Sequence, residues 1–363
     1  MKKHISLILV LALWIGLTAC AWMKPAAVSS DTERRNLAQF PELSVETLAS
    51  GRFMADFADY AVDQFPWRDG FRSLNAYLTY YGMGQKDNNG IYLHDGYAAK
   101  MEYPLNETSL GYAAARFDEL YEGYLTDSGN IFFAIVPDKG YYLAEEAGVL
   151  SLDFDAMFSY LEDTLDWAEF VDITDCLSID AYYRTDTHWR QEALLPVAQK
   201  LGQALGVDVA QDYETVTARS DFRGVYYGQA AIPMKAEELN WLIWPGWESC
   251  TVYSYDTGSD TPIYDASKLD SKDPYESFLS GNMAIQVITN PDAATDRELI
   301  VFRDSFGSSL VPLLARSYSK VTLVDTRYIV PSMVGEFVRF EGADVLLLYS
   351  TLVLNSSSAL RKG

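Results

Sequence analysis

The sequence predicts an α/β fold built on a parallel sheet, and three observations carry the prediction. The 363 residues are 49% apolar and 22% charged, a balance that supports a large buried core and excludes a disordered or fibrous chain. Four apolar runs of strand length, Ile131 to Val136, Leu299 to Phe302, Val321 to Val324 and Val345 to Leu348, lack polar alternation and so read as strands buried on both faces. Helix-length segments around Leu310 to Arg316 and Ser332 to Phe340 separate the last three, which makes a βαβαβ unit with parallel strands.

The elements follow in chain order. Lys2 and Lys3 precede an uncharged apolar run from Ile5 to Ala19, short for a membrane span and normal for a signal-peptide core. Leu17-Thr18-Ala19-Cys20 reads as a bacterial lipobox, so residues 1–19 are expected to be a signal peptide and Cys20 the lipidated residue; the alternative is an uncleaved anchor, with the rest of the chain on the same outer side. Residues 20–43, polar and Pro-containing, read as a tether, and residues 44–363 as the domain. From Ser44 to Met83, apolar residues at helical spacing interrupted by Pro66 predict two helices joined near Gln64 to Asp69. Ile91 to His94, Asp95-Gly96 and Tyr97 onward predict a hairpin, because Asp-Gly suits the positive backbone angles of a tight turn. Helices are expected over Ser109 to Leu125, Asp155 to Leu165 and Gln191 to Leu205, the last ended by Gly206, with a short strand at Phe170 to Ile173. Residues 208–290 lack helical period and read as an inserted aromatic-rich segment of hairpins and loops.

Charge and cysteine usage exclude several functions. With 28 Lys and Arg against 51 Asp and Glu the formal net charge is -23, which repels a phosphate backbone, so no nucleic-acid partner is expected. Cys176 and Cys250 are either a disulfide in an oxidising compartment or two isolated buried thiols, and the second is the commoner condition. No CxxC or HExxH spacing occurs, and beyond His4 only His94 and His188 are present, so neither a metal nor a cofactor is expected and a metal-dependent hydrolase is a weak reading.

Open parallel sheets bind ligands at the carboxyl ends of their strands. That rim would carry Pro137, Asp138 and Lys139, then Arg303, Asp304 and Ser305, then Asp325. His188 follows Asp186 by two positions, which lets a carboxylate hold the imidazole and stabilise its charged form. Ser305 lies where an apolar strand turns into a helix; its hydroxyl there is either an exposed nucleophile beside free helix amides or an N-cap.

In this order the short motifs resemble the DHHW family of bacterial exported proteins, similar to alginate acetylation proteins of the SGNH-hydrolase-like group. The resemblance runs through Glu33-Arg34-Arg35-Asn36-Leu37, Asp63 to Asp69, Val136 to Lys139, Asp186-Thr187-His188-Trp189, Asp221 to Gly224, Lys272 to Tyr275 with Gly281-Asn282, Asp304-Ser305-Phe306 and Val324 to Tyr328. It implies a three-layer α/β/α sandwich with a Ser305–His188–Asp186 triad, acting as O-acetyltransferase or acetylesterase on an extracellular or cell-wall polysaccharide. The alternative is a non-catalytic polysaccharide-binding or assembly lipoprotein of the same fold. A transferase would be partnered by a membrane-bound O-acyltransferase. Asn282 and the Ser305 or Phe306 amide are the candidate oxyanion donors, and Lys139, Asp325, Arg327 and Trp189 the candidate substrate-binding residues. Tyr226, Tyr227, Trp241, Trp244, Trp247, Tyr253 and Tyr255 offer rings for sugar stacking or for a local core. Thr187 stands where the family's first histidine usually lies, and Arg303 where a glycine often precedes Asp-Ser, which puts a close backbone approach there in question.

Overall fold

In the computed structural model, residues 2–128, 130–293 and 295–362 are described, with side chains from residue 5, so the charges expected at Lys2 and Lys3 lie outside the described side chains. The chain divides into two units: residues 1–89 with 227–233, and residues 90–226 with 234–363.

The first unit begins with an apolar helix, α1 (Lys2–Met23), whose Ile5–Met23 stretch is long and apolar enough to cross a membrane. A short hairpin, β1 (Ser29–Ser30) and β2 (Arg35–Asn36), leads to α2 (Val45–Ala49), α3 (Arg52–Asp63) and α4 (Arg68–Tyr77), which continues into a π turn over Leu78–Gly82 and a strand residue pair, β3 (Asp87–Asn88). Residues 27–38, within the segment read as a tether, bond to the end of α3. The Gln64 amide bonds the backbone of Ala27 and Ala38, and the Asp63 carboxylate accepts from the Ala38 amide and the Arg35 guanidinium. The two expected helices are present, broken at Pro66.

The second unit opens with the hairpin β4 (Ile91–His94) and β5 (Tyr97–Lys100); Asp95 and Gly96 both have positive φ, 45° and 79°, as the Asp-Gly turn requires. There follow α5 (Glu107–Leu120), capped by Asn106, β6 (Ile131–Val136), α6 (Gly140–Ala147), α7 (Phe154–Thr164), β7 (Glu169–Phe170) and α8 (Leu195–Leu205). Next come β8 (Glu214–Phe222), α9 (Val225–Ala230), β9 (Glu237–Ile243), β10 (Thr251–Ser254), β11 (Ser259–Pro262) and β12 (Ile285–Thr289). The chain closes with β13 (Glu298–Arg303), α10 (Gly307–Ala315), β14 (Lys320–Val324), α11 (Val334–Phe337), β15 (Asp344–Ser350) and α12 (Thr351–Asn355).

A mixed, mostly parallel sheet runs in the order β11-β10-β12-β14-β13-β15-β6-β7. β14, β13, β15, β6 and β7 are parallel, and β12, β10 and β11 extend the sheet antiparallel. Part of the expected insertion is therefore sheet edge, and only the β8–β9 ribbon is a separate β element. Apolar residues point to both faces. Ala134, Val301 and Leu348 join α8 and α10 in one core, whereas Phe133, Phe302 and Leu347 join α5, α7 and α12 in another. Chain direction thus diverges after β13 and β15: α10 packs on the first face and α12 on the second, and such a divergence is where open α/β sheets bind ligands, at the carboxyl ends of the strands. Trp241 and Trp244 fill the first core, while Tyr253 on β10 and Tyr255 just after it stay exposed.

Candidate active site

Ser305 leaves the end of β13 on a turn that three side chains build. Asp304, fully buried, accepts the Phe306 amide with one oxygen (3.0 Å) and the amide and hydroxyl of Ser350 with the other (2.8 and 2.6 Å), which ties the turn to the end of β15. Arg303 fills the space beneath: its guanidinium donates to Asn282 Oδ1 (2.6 Å), Ser308 Oγ (3.2 Å), the Asp304 carbonyl (3.3 Å) and Gln286 Oε1 (2.9 Å). Burial lowers its pKa, opposed by Asp325 at 3.7 Å. A Cβ at Gly307 would lie 2.9 Å from Arg303 Cβ, so the close approach that a glycine before Asp-Ser would allow is supplied by Gly307 after it.

The imidazole comes from a looped segment, residues 181–190, whose arms pair through Tyr182 and Trp189 and through the Tyr183 amide and His188 carbonyl (3.1 Å). Its tip is held from several sides. The Glu237 carboxylate accepts the amides of Arg184 and Thr185 (both 2.8 Å), Thr185 Oγ1 accepts the Gly224 amide (2.9 Å), and Lys139 Nζ donates to the carbonyls of Tyr183 (3.0 Å) and Ala98. Asp186 accepts the Val225 amide on Oδ2 (2.9 Å), and both the His188 amide (3.1 Å) and His188 Nδ1 (2.6 Å) on Oδ1. A carboxylate only accepts, so Nδ1 carries the ring proton and Nε2 is left to accept from Ser305 Oγ, 2.8 Å away. The Tyr275 ring stacks on the imidazole at 3.8 Å between centroids and 7° between planes, and its hydroxyl bonds Ser309 Oγ at 2.8 Å.

The structure brings Asp186, His188 and Ser305 into one hydrogen-bonded chain at the carboxyl end of the sheet. The Ser305 hydroxyl bonds His188, and the N-cap position of α10 is Phe306, with no side-chain cap. Asn282 reaches the same rim because β12 is antiparallel, which sets its start beside the end of β14 (Ile285 opposite Val324). Asn282 Oδ1 is bound by Arg303 and the Phe306 amide by Asp304; among the described residues, Asn282 Nδ2 and the Ser305 amide donate to no partner.

The four candidate substrate-binding residues each make contacts within the protein. Lys139 is buried, and burial brings its pKa down to about 7, against the pull of Asp186, Glu237 and Asp138. The Trp189 indole is fully buried and donates to the Phe306 carbonyl and Ser309 Oγ, both at 3.0 Å. Asp325 and Arg327 form a two-point ion pair, at 2.9 and 2.6 Å; burial opposes the Arg327 charge, and Asp325 outweighs it. Cys176 and Cys250 are both free thiols. Among the described residues, one group of side chains offers metal-ligand atoms within 4.8 Å of one another, His94 and Asp95 at the hairpin tip with Glu146 of α6, and two of the three are exposed.

Three residues of this site carried no role in the sequence reading: Tyr275, Glu237 and Gly224. Tyr275 and Gly224 belong to motifs quoted above, but nothing in their spacing says which residues they touch. Glu237 had no signal at all.

With the geometry in hand, the known structures give the fold. A DHHW family protein from Eubacterium siraeum matches 75% of this chain and 94% of its own, with a TM-score of 0.61 and 22% identity. The fold is that of a DHHW protein. Bacillus cereus PatB1 with a sulfonyl adduct matches 75% of this chain and 97% of its own, with a TM-score of 0.59 and 16% identity, and a second PatB1 structure matches with a TM-score of 0.58. No family model matches the sequence, and no curated protein matches it.

Proposed function

We propose that this protein is an exported serine acyltransferase or ester hydrolase of SGNH-like, three-layer architecture, which moves or removes acetyl groups on an extracellular polysaccharide. The observation that carries the proposal is the chain from Asp186 Oδ1 through the His188 ring to Ser305 Oγ, with links of 2.6 and 2.8 Å. His188 Nε2 takes the Ser305 proton as Oγ attacks the acetyl carbonyl. Asp186 orients the ring and stabilises the imidazolium. The Ser305 amide and Asn282 Nδ2 receive the developing oxyanion, and Arg303 holds Asn282 by its carbonyl so that the amino group is left to donate. Collapse of the intermediate expels the sugar oxygen, which takes the proton from His188; the acetyl-enzyme then passes its group to a second hydroxyl or to water.

Two further observations support the reading. A sulfonyl adduct is known on PatB1, a protein of this fold, and such adducts form when an activated nucleophile displaces a leaving group from a sulfonyl reagent. The apolar α1 suits export, with lipidation at Cys20 and placement at the outer face of the membrane as parts of the same proposal, and a membrane-bound O-acyltransferase as the donor's carrier if the reaction is transfer.

The test is hydrolysis of a small acetyl ester, with mass analysis after treatment with a sulfonyl fluoride. Turnover should fall on the order of 10⁶-fold in Ser305→Ala and in His188→Ala. The unmodified chain should gain one sulfonyl group on Ser305. Neither turnover nor labelling in a folded protein, with polysaccharide binding retained, would favour the non-catalytic binding lipoprotein.

A further inference from the structure

Helix α4 and its π turn are inside out. Arg68 and Arg72 lie on the inward side and pair with Glu33, and Ala76 and Thr79 are buried on the same side. Trp67, Phe71, Leu74, Leu78 and Tyr81 face outward and are 46% to 70% exposed. At about 100° of rotation per residue Phe71, Leu74 and Leu78 fall within an arc of roughly 60°, with Trp67, the left-handed N-cap, and Tyr81, in the π turn, exposed at its two ends. A helix in water places its charges outside and its apolar face within, so a stripe of this kind marks a surface that meets something other than water.

Charge is divided along the chain in a matching way. With α1 retained the first unit holds nine Lys and Arg against nine Asp and Glu, a net of zero, or seven against nine, a net of -2, if residues 1–19 are removed; the second holds 19 against 42, a net of -23 in either case. Nearly all of the excess negative charge is therefore outside the unit that carries the stripe. That same unit begins with α1, apolar enough to cross a membrane.

We infer that the α4 face of the first unit rests in the interfacial layer of a lipid bilayer, with Phe71, Leu74 and Leu78 at the acyl boundary and the rings of Trp67 and Tyr81 at headgroup depth. Aromatic rings with one polar edge partition to that depth, and an apolar helix face lies along it. A nearly neutral unit is repelled far less by an anionic leaflet than the second unit would be. The same -23 disfavours a second copy of this chain as the occupant, because two copies would bring like charge together.

The experiment places a photoreactive benzoylphenylalanine at Leu74, at Tyr81 or, as a control, at Leu150 of the second unit, which is 56% exposed. The full chain is reconstituted in vesicles of phosphatidylcholine and phosphatidylglycerol, where α1 holds every variant on the vesicle, so the readout is what each probe touches. Lipid adducts at 74 and 81 several-fold above those at 150 are expected. As a second measurement, brominated phosphatidylcholine should quench the part of the fluorescence that is lost in Trp67→Phe. Adducts at 74 to a second protein chain, or no lipid adduct and no Trp67 quenching, would overturn the inference.

Discussion

At the scale of single residues, the imidazole is held by two different interactions, and each has its own expected signature. Asp186 fixes the tautomer through Nδ1, so Asp186→Asn, which can present its amino group there, should lower kcat on the order of 10⁴-fold with little change in stability. Tyr275 fixes the ring plane. Tyr275→Leu removes a parallel contact at 3.8 Å of a kind worth about 0.5–1.5 kcal/mol and should cost roughly tenfold in kcat, whereas Tyr275→Phe keeps the stack, loses the hydroxyl's bonds to Ser309 Oγ (2.8 Å) and to the Ser305 carbonyl (3.5 Å), and should stay within a few-fold of the parent. Steady-state kinetics on an acetyl ester separate the three variants; an unaltered Tyr275→Leu enzyme would show that the ring is only filler. The contrast also explains what was legible beforehand. Asp186, His188 and Ser305 stood out because histidine is scarce and serine sits at a strand end, signals that local sequence carries. Tyr275 is one of 25 tyrosines, and its contact with His188 is a long-range packing event that no local pattern encodes.

At the scale of elements, the loop bearing Asp186 and His188 depends on what packs behind it. A Cβ at Gly224 would lie 2.1 Å from Asp186 Cβ and 2.3 Å from its Cα, so Gly224→Ala must push the loop away from the amide of Val225. A loss of about 1–3 kcal/mol in urea unfolding is expected, together with a fall in turnover larger than stability alone explains. Lys139 makes a second prediction at this scale. Its folded pKa of about 7 lies below the unfolded 10.5, so between those values the unfolded chain binds the extra proton. Stability therefore rises with pH across that window and is lost as pH falls from 10.5 toward 7. Thermal unfolding of the parent relative to Lys139→Met should show this rise; parallel curves would mean that the ammonium keeps its charge through its bonds to the carbonyls of Ala98 and Tyr183. The buried runs of β6, β13, β14 and β15 could be read because strands covered on both faces need unbroken apolar sequence. The direction of β12 could not, since a five-residue strand with Gln286 and Thr289 among its residues has the same local pattern whether it runs parallel or antiparallel, and with it went the reason that Asn282 reaches the rim.

At the scale of the molecule, charge is the property that the fold does least to neutralise. The second unit carries a net of -23, yet its internal pairs, such as Arg297 with Asp344 and Lys320 with Glu298, engage its few cations with single carboxylates and leave most of its 42 acidic groups facing one another through solvent. Folding confines that charge to a compact volume, whereas unfolding spreads it, so like-charge repulsion counts against the native state. Added monovalent salt shortens the Debye length and screens this repulsion over the distances between surface groups, while the half-buried pairs are screened less. The urea midpoint should therefore move upward with salt at neutral pH, with the slope of the transition unchanged because the surface exposed on unfolding is the same. The rise should flatten once the Debye length falls to about 8 Å, near physiological ionic strength, where further salt finds little left to screen. A midpoint that falls with salt would mean the opposite balance, in which the ion pairs contribute more than the excess charge costs, and it would remove the electrostatic reason for keeping the acidic unit clear of an anionic surface.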